Sequence, residues 1–536
     1  KSTIQAGINA AMDGDTVLVK YGVYSIINTI DYFGKNIRLA SDDGTHTTYE
    51  TATKDASCCF IDANSGECQV FYLHWGETSD AVLAGFTIEN GIDNNGGGIH
   101  CRNASPTITN CIIKNNSADH GGGIFCGNSS PTINNCTISN NLTSYDTDNT
   151  GGGIVCYNSS PNIINCNIIK NKTCFGGGIY CTNNSSPNII NCIIRENLAK
   201  GCGGGIRCFE SSPTITNCTI IQNLANYGGG IACKSSSPGI INCTISDNTA
   251  NYNGGGIYCN FDSPAITNCV LWGNLPDEIS GSTVIITYSD IQGGYGDPNT
   301  AHNINAEPLF IDPNAGDYRL WFASPCIDAG DPNAPTLPPT DKDGNPRIIN
   351  GKPDMGAYEY MELLTLYPGL NLVSFPQGLE WGYLMDNNVP IVKIQAYQPK
   401  TLSWLTLAPS DQGDFSFSLV RGWLVYVSQD KPDNIDLRFP FISSTSGFNP
   451  AEDLFPGMNL LDFYSLYEML TIQYSQQLIW PKNVFQRLNQ KTGKDTMCIV
   501  GYDRREGKWQ ATYPFFGHDA GFTTKLKKEG YVAYFK

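Results

Sequence analysis

Acids, an imidazole and an amine gather in one short region of this chain. Asp119-His120 stands one repeat of a pattern described below before the loop Tyr145-Asp146-Thr147-Asp148-Asn149-Thr150, and Lys172 lies one repeat after it. The pair Asp146 and Asp148 offers the hard oxygen ligands that Ca2+ takes. Carboxylates beside a histidine and a lysine can also move protons on and off a sugar. A solvated polar loop uses the same residue types, so the chemistry rests on how they are positioned. A second acidic run, Asp341-Lys342-Asp343-Gly344-Asn345, reads as half of a calcium loop with Asp341 and Asp343 as ligands. It lacks the later bidentate Glu of a full loop, and a plain turn is the simpler account.

The positioning element is a repeat. Seven times between Gly96 and Asn274 the chain reads Gly-Gly-Gly-Ile-x-Cys and then Pro-x-Ile-x-Asn-Cys-x-Ile/Leu-x-x-Asn. The third glycine falls at Gly98, Gly123, Gly153, Gly178, Gly205, Gly230 and Gly256, a period of 25 to 30 residues. β-Branched residues, glycine and asparagine at such a period, without helical spacing between them, mark a parallel β-solenoid. The expected fold class is all-β.

Strand alternation assigns the faces. Ile99 and Cys101 point inward and His100 outward; Ile108, Cys111 and Ile113 point inward around a corner at Asn110-Cys111. Asparagine suits that corner because it tolerates left-handed backbone. The corner asparagine recurs at Asn110, Asn135, Asn165, Asn191, Asn217, Asn242 and Asn268, and a second row runs through Asn116, Asn141, Asn171, Asn197, Asn223, Asn248 and Asn274. Stacked coils align both rows into amide ladders at the strand spacing of about 4.8 Å.

The chain has 21 cysteines, and fourteen fall on two inward rows. One is Cys101, Cys126, Cys156, Cys181, Cys208, Cys233 and Cys259; the other is Cys111, Cys136, Cys166, Cys192, Cys218, Cys243 and Cys269. Inward thiols act as small hydrophobes that stack well. Cys174 and Cys202 sit instead in loops of neighbouring coils and could form a surface disulfide.

These motifs resemble the right-handed parallel β-helix superfamily of pectate-lyase-like proteins, in particular the coils of large secreted bacterial proteins. Thr3–Ala11 with Gly14–Val19 and Gly22-Val23-Tyr24 resembles the family's N-terminal cap and first strands, and Val82–Ile88 its next coil. Tyr288–Gly294, Pro308-Leu309-Phe310, Ser324–Gly330 and Asp354–Glu359 resemble the segment that ends such helices. The resemblance implies a fold and little chemistry, because that fold hosts lyases, hydrolases, adhesins and tail spikes.

The outward position of the Gly-Gly-Gly-Ile-x-Cys strand reads His100, Phe125, Val155, Tyr180, Arg207, Ala232 and Tyr258. It holds no carboxylate pair of the kind a glycosidase needs. Phe125, Tyr180 and Tyr258 could stack sugar rings along the helix axis; packing under loops is the plainer use. Asp119, His120, Asp146, Asp148 and Lys172 remain the candidates for catalysis.

At 536 residues, net charge −17 and 15% charged residues, the chain is acidic and mostly neutral-polar, which argues against a nucleic-acid partner. No apolar run approaches the roughly 18 residues that span a bilayer. The chain starts at Lys1 already inside the cap motif, so an export signal upstream and a secreted or cell-surface location are expected. Expected divisions are 1–75 (cap and first coils), 76–290 (regular coils), 291–360 (terminal segment), 361–445 and 446–536. The last two share Pro368-Gly369 with Pro456-Gly457 and Tyr397…Trp404 with Tyr502…Trp509, so they read as two copies of one small β-rich domain, the second with a helix expected within Tyr464–Gln490.

Near-identical coils favour a structural role, since an enzyme usually breaks its repeat where its site lies. The expectation is a secreted or surface rod of some 10–13 coils, about 50–60 Å long. Its terminal domains would anchor it or assemble it with other copies, and its face would contact glycans. A polysaccharide lyase or hydrolase at the loop edge and a glycan-binding adhesin are the alternatives; Ca2+ is the one cofactor the sequence raises.

Overall fold

The computed structural model describes residues 3–361 except 64–66, 145–148, 262, 283, 297–300, 322–323 and 350, and beyond them the backbone of the strands within 361–535. Asp146 and Asp148 therefore lie outside the described residues, as does the helix expected within Tyr464–Gln490.

A short helix, Ile4–Ala10, capped by the Thr3 side chain accepting from the Ala6 N–H, buries Ile4 and Ile8 at the start of the solenoid. Each coil then contributes strands to stacked parallel sheets. In one coil these are Ile99–Arg102, Thr107–Thr109, Ile112–Lys114 and Ser117–His120. We call the sheets glycine-side, proline-side, third and edge; they hold 10, 11, 11 and 7 strands. Eleven strands at about 4.8 Å make a solenoid of about 50 Å.

The register is the repeat itself. Ile99 pairs with Ile124 and Cys101 with Cys126, and the same in-register steps continue to Cys259. Like side chains stack on like, so rows of isoleucine and cysteine run through a single core in which nearly every member is fully buried. Burial of one such isoleucine is worth about 1.5–3 kcal/mol. The thiols of the second cysteine row donate to carbonyls, Cys111 to Thr109 O at 3.3 Å for example, and the row is stacked without disulfides.

Each corner carries a left-handed residue: Asn103, Asn110 and Asn115 have φ of 52°, 53° and 57°, and Gly121 has 65°. The triple glycine has a further cause. A Cβ on Gly122 would sit 2.6 Å from Leu142 O and one on Gly123 2.7 Å from Gly153 O, so adjacent coils can approach only without side chains there.

The two asparagine rows differ. Asn116, Asn141, Asn171, Asn197, Asn223, Asn248 and Asn274 form an unbroken buried ladder, each Nδ2 donating to the next Oδ1 at 2.9–3.0 Å. The same Oδ1 also accepts the preceding backbone N–H, as Asn141 does from Asn116 at 3.0 Å. The corner row is a ladder only in places, as from Asn135 to Asn110 and from Asn217 to Asn191. Further along, its amides turn to another segment.

That segment is 326–359. It runs back along the corner as a strap instead of stacking as further coils. Arg347 donates to Asn217 Oδ1 at 2.6 Å and to Glu359 at 2.8 Å, both buried. Lys342 Nζ reaches Asn191 O, Asn242 Nδ2 reaches Asp354 O, and Asn268 exchanges hydrogen bonds with Asp331. A serine ladder, Ser129, Ser159, Ser185, Ser211 and Ser236, ties the corner after the glycine-side sheet, each N–H donating to the next Oγ at 3.0 Å.

Residues 360–536 form a separate unit. In it Gly369–Val373, Trp423–Val427, Ile391–Gln398 and Ser403–Leu407 lie in that order across one antiparallel sheet. Gly457–Leu461, Tyr531–Phe535, Thr496–Asp503 and Lys508–Thr512 lie in the matching order in another. Tyr397 is opposite Trp404 and Tyr502 opposite Trp509, and both sheets shift register after their first central pair.

Candidate functional site

The loop-edge candidates do not converge among the described residues. Asp119 and His120 are consecutive on Ser117–His120 and so face opposite ways. His120 turns its Nδ1 to Thr150 Oγ1 at 3.0 Å, and Asp119 faces an open depression shared with Asp93 and Glu67. Lys172 is exposed and pairs with Leu142, which pairs with Ser117, placing it two coils from Asp119.

The half calcium loop is already occupied. Buried Asp341 accepts N–H groups from Asp343, Asn345 and Glu359 at 2.7–2.9 Å. Asp343 takes a two-pronged contact from Arg319 at 2.6 and 3.0 Å. These carboxylates shape a turn of the strap, and a cation would have to displace those donors. Asp42, Asp43 and His46, a group absent from the sequence reading, bring ligand atoms within 4.8 Å of one another. Burial alone would raise the Asp42 pKa. The N–H groups of Gly44, His46 and Thr53 and the His46 imidazole outweigh it and hold the carboxyl below its usual value, occupying the lone pairs that a metal would use.

Cys174 and Cys202 are not bonded to one another. An extra residue in this coil bulges the chain, so the Gly176 N–H meets Cys202 O and Cys202 comes level with Phe175, not with Cys174. Cys174 is buried, whereas Cys202 is a half-buried free thiol facing a hollow on the outer surface.

That hollow has a volume of about 410 Å³. It lies on the glycine-side sheet, where Tyr180, Arg207, Ala232 and Tyr258 are consecutive rungs of one outward row. The methyl of Ala232 leaves room between larger neighbours. Tyr180 and Tyr258 stand at the two ends, and Phe175 and Tyr227 come from the corner before the strands. Phe209 and Lys234 stand two residues beyond Arg207 and Ala232 on the same face, with the Lys234 ammonium 5.4 Å from the Phe209 ring centre. Tyr227 lies 5.1 Å from both Tyr258 and Tyr252. Burial raises the Tyr180 hydroxyl pKa, with the Arg207 guanidinium pulling it back.

Phe125 is placed elsewhere. With Tyr72, His74, His100 and Tyr157 it forms a chain of ring contacts over the earlier coils, with centroids 3.8–6.5 Å apart. Burial in this cluster pushes the His100 pKa down to about 4, so its imidazole is neutral at neutral pH. The motif Gly-Gly-Gly-Ile-x-Cys contains one outward position per coil. Period-two alternation would have supplied Tyr157, Phe209 and Lys234 as well, but Phe175 and Tyr227 lie across a corner whose geometry the pattern does not state.

A family model described as a right handed beta helix region matches residues 57–206 and 177–303. Among solved structures, pectate lyase Pel9A is similar at 16% identity and a TM-score of 0.40, covering 66% of this chain and 90% of that one. The phiAB6 tailspike, in complex with three-repeated oligosaccharides of Acinetobacter baumannii surface polysaccharide, is similar at 13% identity and a TM-score of 0.19, covering 79% and 83%. No curated protein matches. The coil register, the single isoleucine–cysteine core and the family match over residues 57–303 together show that this chain contains a right-handed parallel β-helix.

Proposed function

We propose that this chain is a secreted or surface-displayed β-helix rod that binds polysaccharide along its glycine-side sheet. The observation that carries this reading is the hollow walled by Tyr180, Tyr227, Tyr258, Phe175 and Phe209. Aromatic faces stack on the apolar faces of sugar rings, and a coil rise of about 4.8 Å lets a glycan laid along the axis meet successive rungs in step. The earlier ring cluster, where Trp75 and Tyr157 are exposed, extends the same face towards the N-terminus. Binding without turnover fits the loop edge, where the described acid, imidazole and amine stand apart. The two matched sheets of the tail serve attachment in this reading.

Affinity electrophoresis in gels containing soluble polysaccharides, with Tyr180→Ala and Tyr258→Ala variants, tests it. Retardation by at least one polysaccharide that falls about tenfold or more in each variant is expected, with far-UV circular dichroism unchanged. Absence of retardation across neutral and acidic polysaccharides would overturn the reading.

Self-assembly is the second reading, and a row on the edge sheet favours it. Ile92, Leu142, Leu224 and Leu275 are 38–61% exposed and lie on one outward line. Sedimentation that stays monomeric up to high concentration would remove that reading and leave the first intact.

A further inference from the structure

We infer that the hollow on the glycine-side sheet is a subsite for an acidic sugar, one that carries a carboxylate or a sulfate ester on its ring; this rests on the glycan-binding reading above. The hollow is lined in part by Arg207. Its side chain is on the outward row between Tyr180 and Ala232, yet the residue is only 7% exposed. Among the described residues none forms a hydrogen bond or an ion pair with its guanidinium, and its nitrogens are not among the polar atoms sealed from solvent without a partner. Its N–H groups therefore open into the hollow.

A nearly buried, unpaired cation is an expensive feature unless something completes it. Elsewhere in this protein the buried Arg347 has both terminal nitrogens held, by Glu359, Asn217 and two carbonyls, with only its Nε left without a partner. The chain as a whole bears a net charge of −17. Against that background the charged groups among the described residues lining the hollow are Arg207 and Lys234, both cationic. The Lys234 ammonium lies over the Phe209 ring and is held near the rim.

The arrangement matches the two parts of one ligand. The walls of Tyr180 and Tyr258 take the flat apolar face of a pyranose, while a planar guanidinium takes an oxyanion through paired N–H donors. A carboxylate and a sulfate ester share that chemistry. Lys234, a compact point charge, adds attraction without directional demand. A neutral sugar would leave the guanidinium without a partner, so the hollow discriminates by leaving a buried charge uncompensated.

The test is isothermal titration of the full chain with matched glycans: chondroitin, carboxyl-reduced chondroitin, chondroitin sulfate, and alginate with its carboxyl-reduced form. Acidic forms should bind about tenfold or more tightly than their neutral counterparts, and the preference should shrink as NaCl is raised. Loss of preference on carboxyl reduction assigns the carboxylate; a preference that needs the sulfated chain assigns the ester. Arg207→Gln should abolish the preference and Arg207→Lys should keep part of it. Lys234→Gln, at an exposed position, should reduce it even if Arg207→Gln folds poorly. Equal binding of charged and neutral forms, or an unchanged preference in Lys234→Gln and a folded Arg207→Gln, would overturn this inference while leaving glycan binding standing. Absence of binding by every glycan, neutral ones included, would overturn both.

Discussion

Asn274, the last rung of the buried asparagine ladder, gives both its backbone N–H and its side-chain amide to the carboxylate of Glu278, the former at 3.0 Å. Every earlier rung gives those two donors to the next asparagine. Glu278 thus stands where an eighth amide would have been and closes a chain of hydrogen bonds seven residues long. The end of a polar ladder in a dry core has to be satisfied, because an unmet buried donor costs about 1–3 kcal/mol.

Glu278 makes that closure pH-dependent. Burial, only partly offset by its hydrogen bonds with Asn274, raises its pKa to about 7 from a usual 4.5. A carboxyl whose folded pKa is raised binds its proton more tightly when folded. Its contribution is fully present below about pH 4.5 and is lost as pH rises through 7. His100, with a folded pKa near 4, acts in the opposite sense between pH 6.5 and 4. The Glu278 part is therefore read as a difference: thermal melts of the wild type minus Glu278→Gln should show a stability gap that grows in the variant's favour from pH 5 to pH 8. A gap that does not change with pH would refute the assignment.

Breaking the ladder in its middle should be costly. Asn171→Ala removes the acceptor for the N–H and Nδ2 of Asn141 and the donor to Ile138 O. Two stranded donors at about 1–3 kcal/mol each predict a loss of about 2–6 kcal/mol in urea unfolding. The same substitution at the exposed corner residue Asn135 strands no buried donor and should cost less, about 1–2 kcal/mol, chiefly from alanine's poorer tolerance of the left-handed backbone at φ 55°.

The triple glycines should not tolerate even a methyl group. A Cβ on Gly153 would lie 2.5 Å from Gly178 O, a backbone atom that cannot step aside. Gly153→Ala is expected to destabilise by about 1–3 kcal/mol or more by forcing two coils apart, whereas Gly239→Ala, with open space around it, should be neutral or slightly stabilising. Melting temperatures of the pair check this directly.

The strap should come loose from the coils when its buried cation is removed. Arg347→Met leaves Glu359 without its ion pair and Asn217 Oδ1 without its donor, a change worth about 3–5 kcal/mol. Limited proteolysis should then cut within 326–359 while the coils keep their β-sheet circular dichroism.

Thiol reactivity should follow exposure. Among the described cysteines, Cys58, Cys68 and Cys202 are half-buried and the others buried, and burial pushes the Cys101 and Cys126 thiols well above their usual pKa. Maleimide labelling of the native protein, read by mass spectrometry, should mark those three, with the two inward rows reacting only after unfolding.

The repeat written in the sequence determined the coil, because in a solenoid each residue meets chiefly its own counterpart one turn away. The rows Ile99–Ile257 and Cys101–Cys259 and the left-handed corners at Asn110 and its equivalents were legible for that reason: strand period, corner residue and repeat length are all local facts. Tertiary structure alone decided what happens on the outside. The hollow into which Arg207 opens depends on rings from Phe175, Tyr227 and Tyr258, which belong to different coils and reach it around corners of unequal length. Whether the corner asparagines pair with one another or with Arg347, Thr340 and Asp354 depends on a strap 112–130 residues further along the chain. Such contacts have no period, so no spacing announces them; they exist only once the coils have stacked and the chain has turned back along their flank.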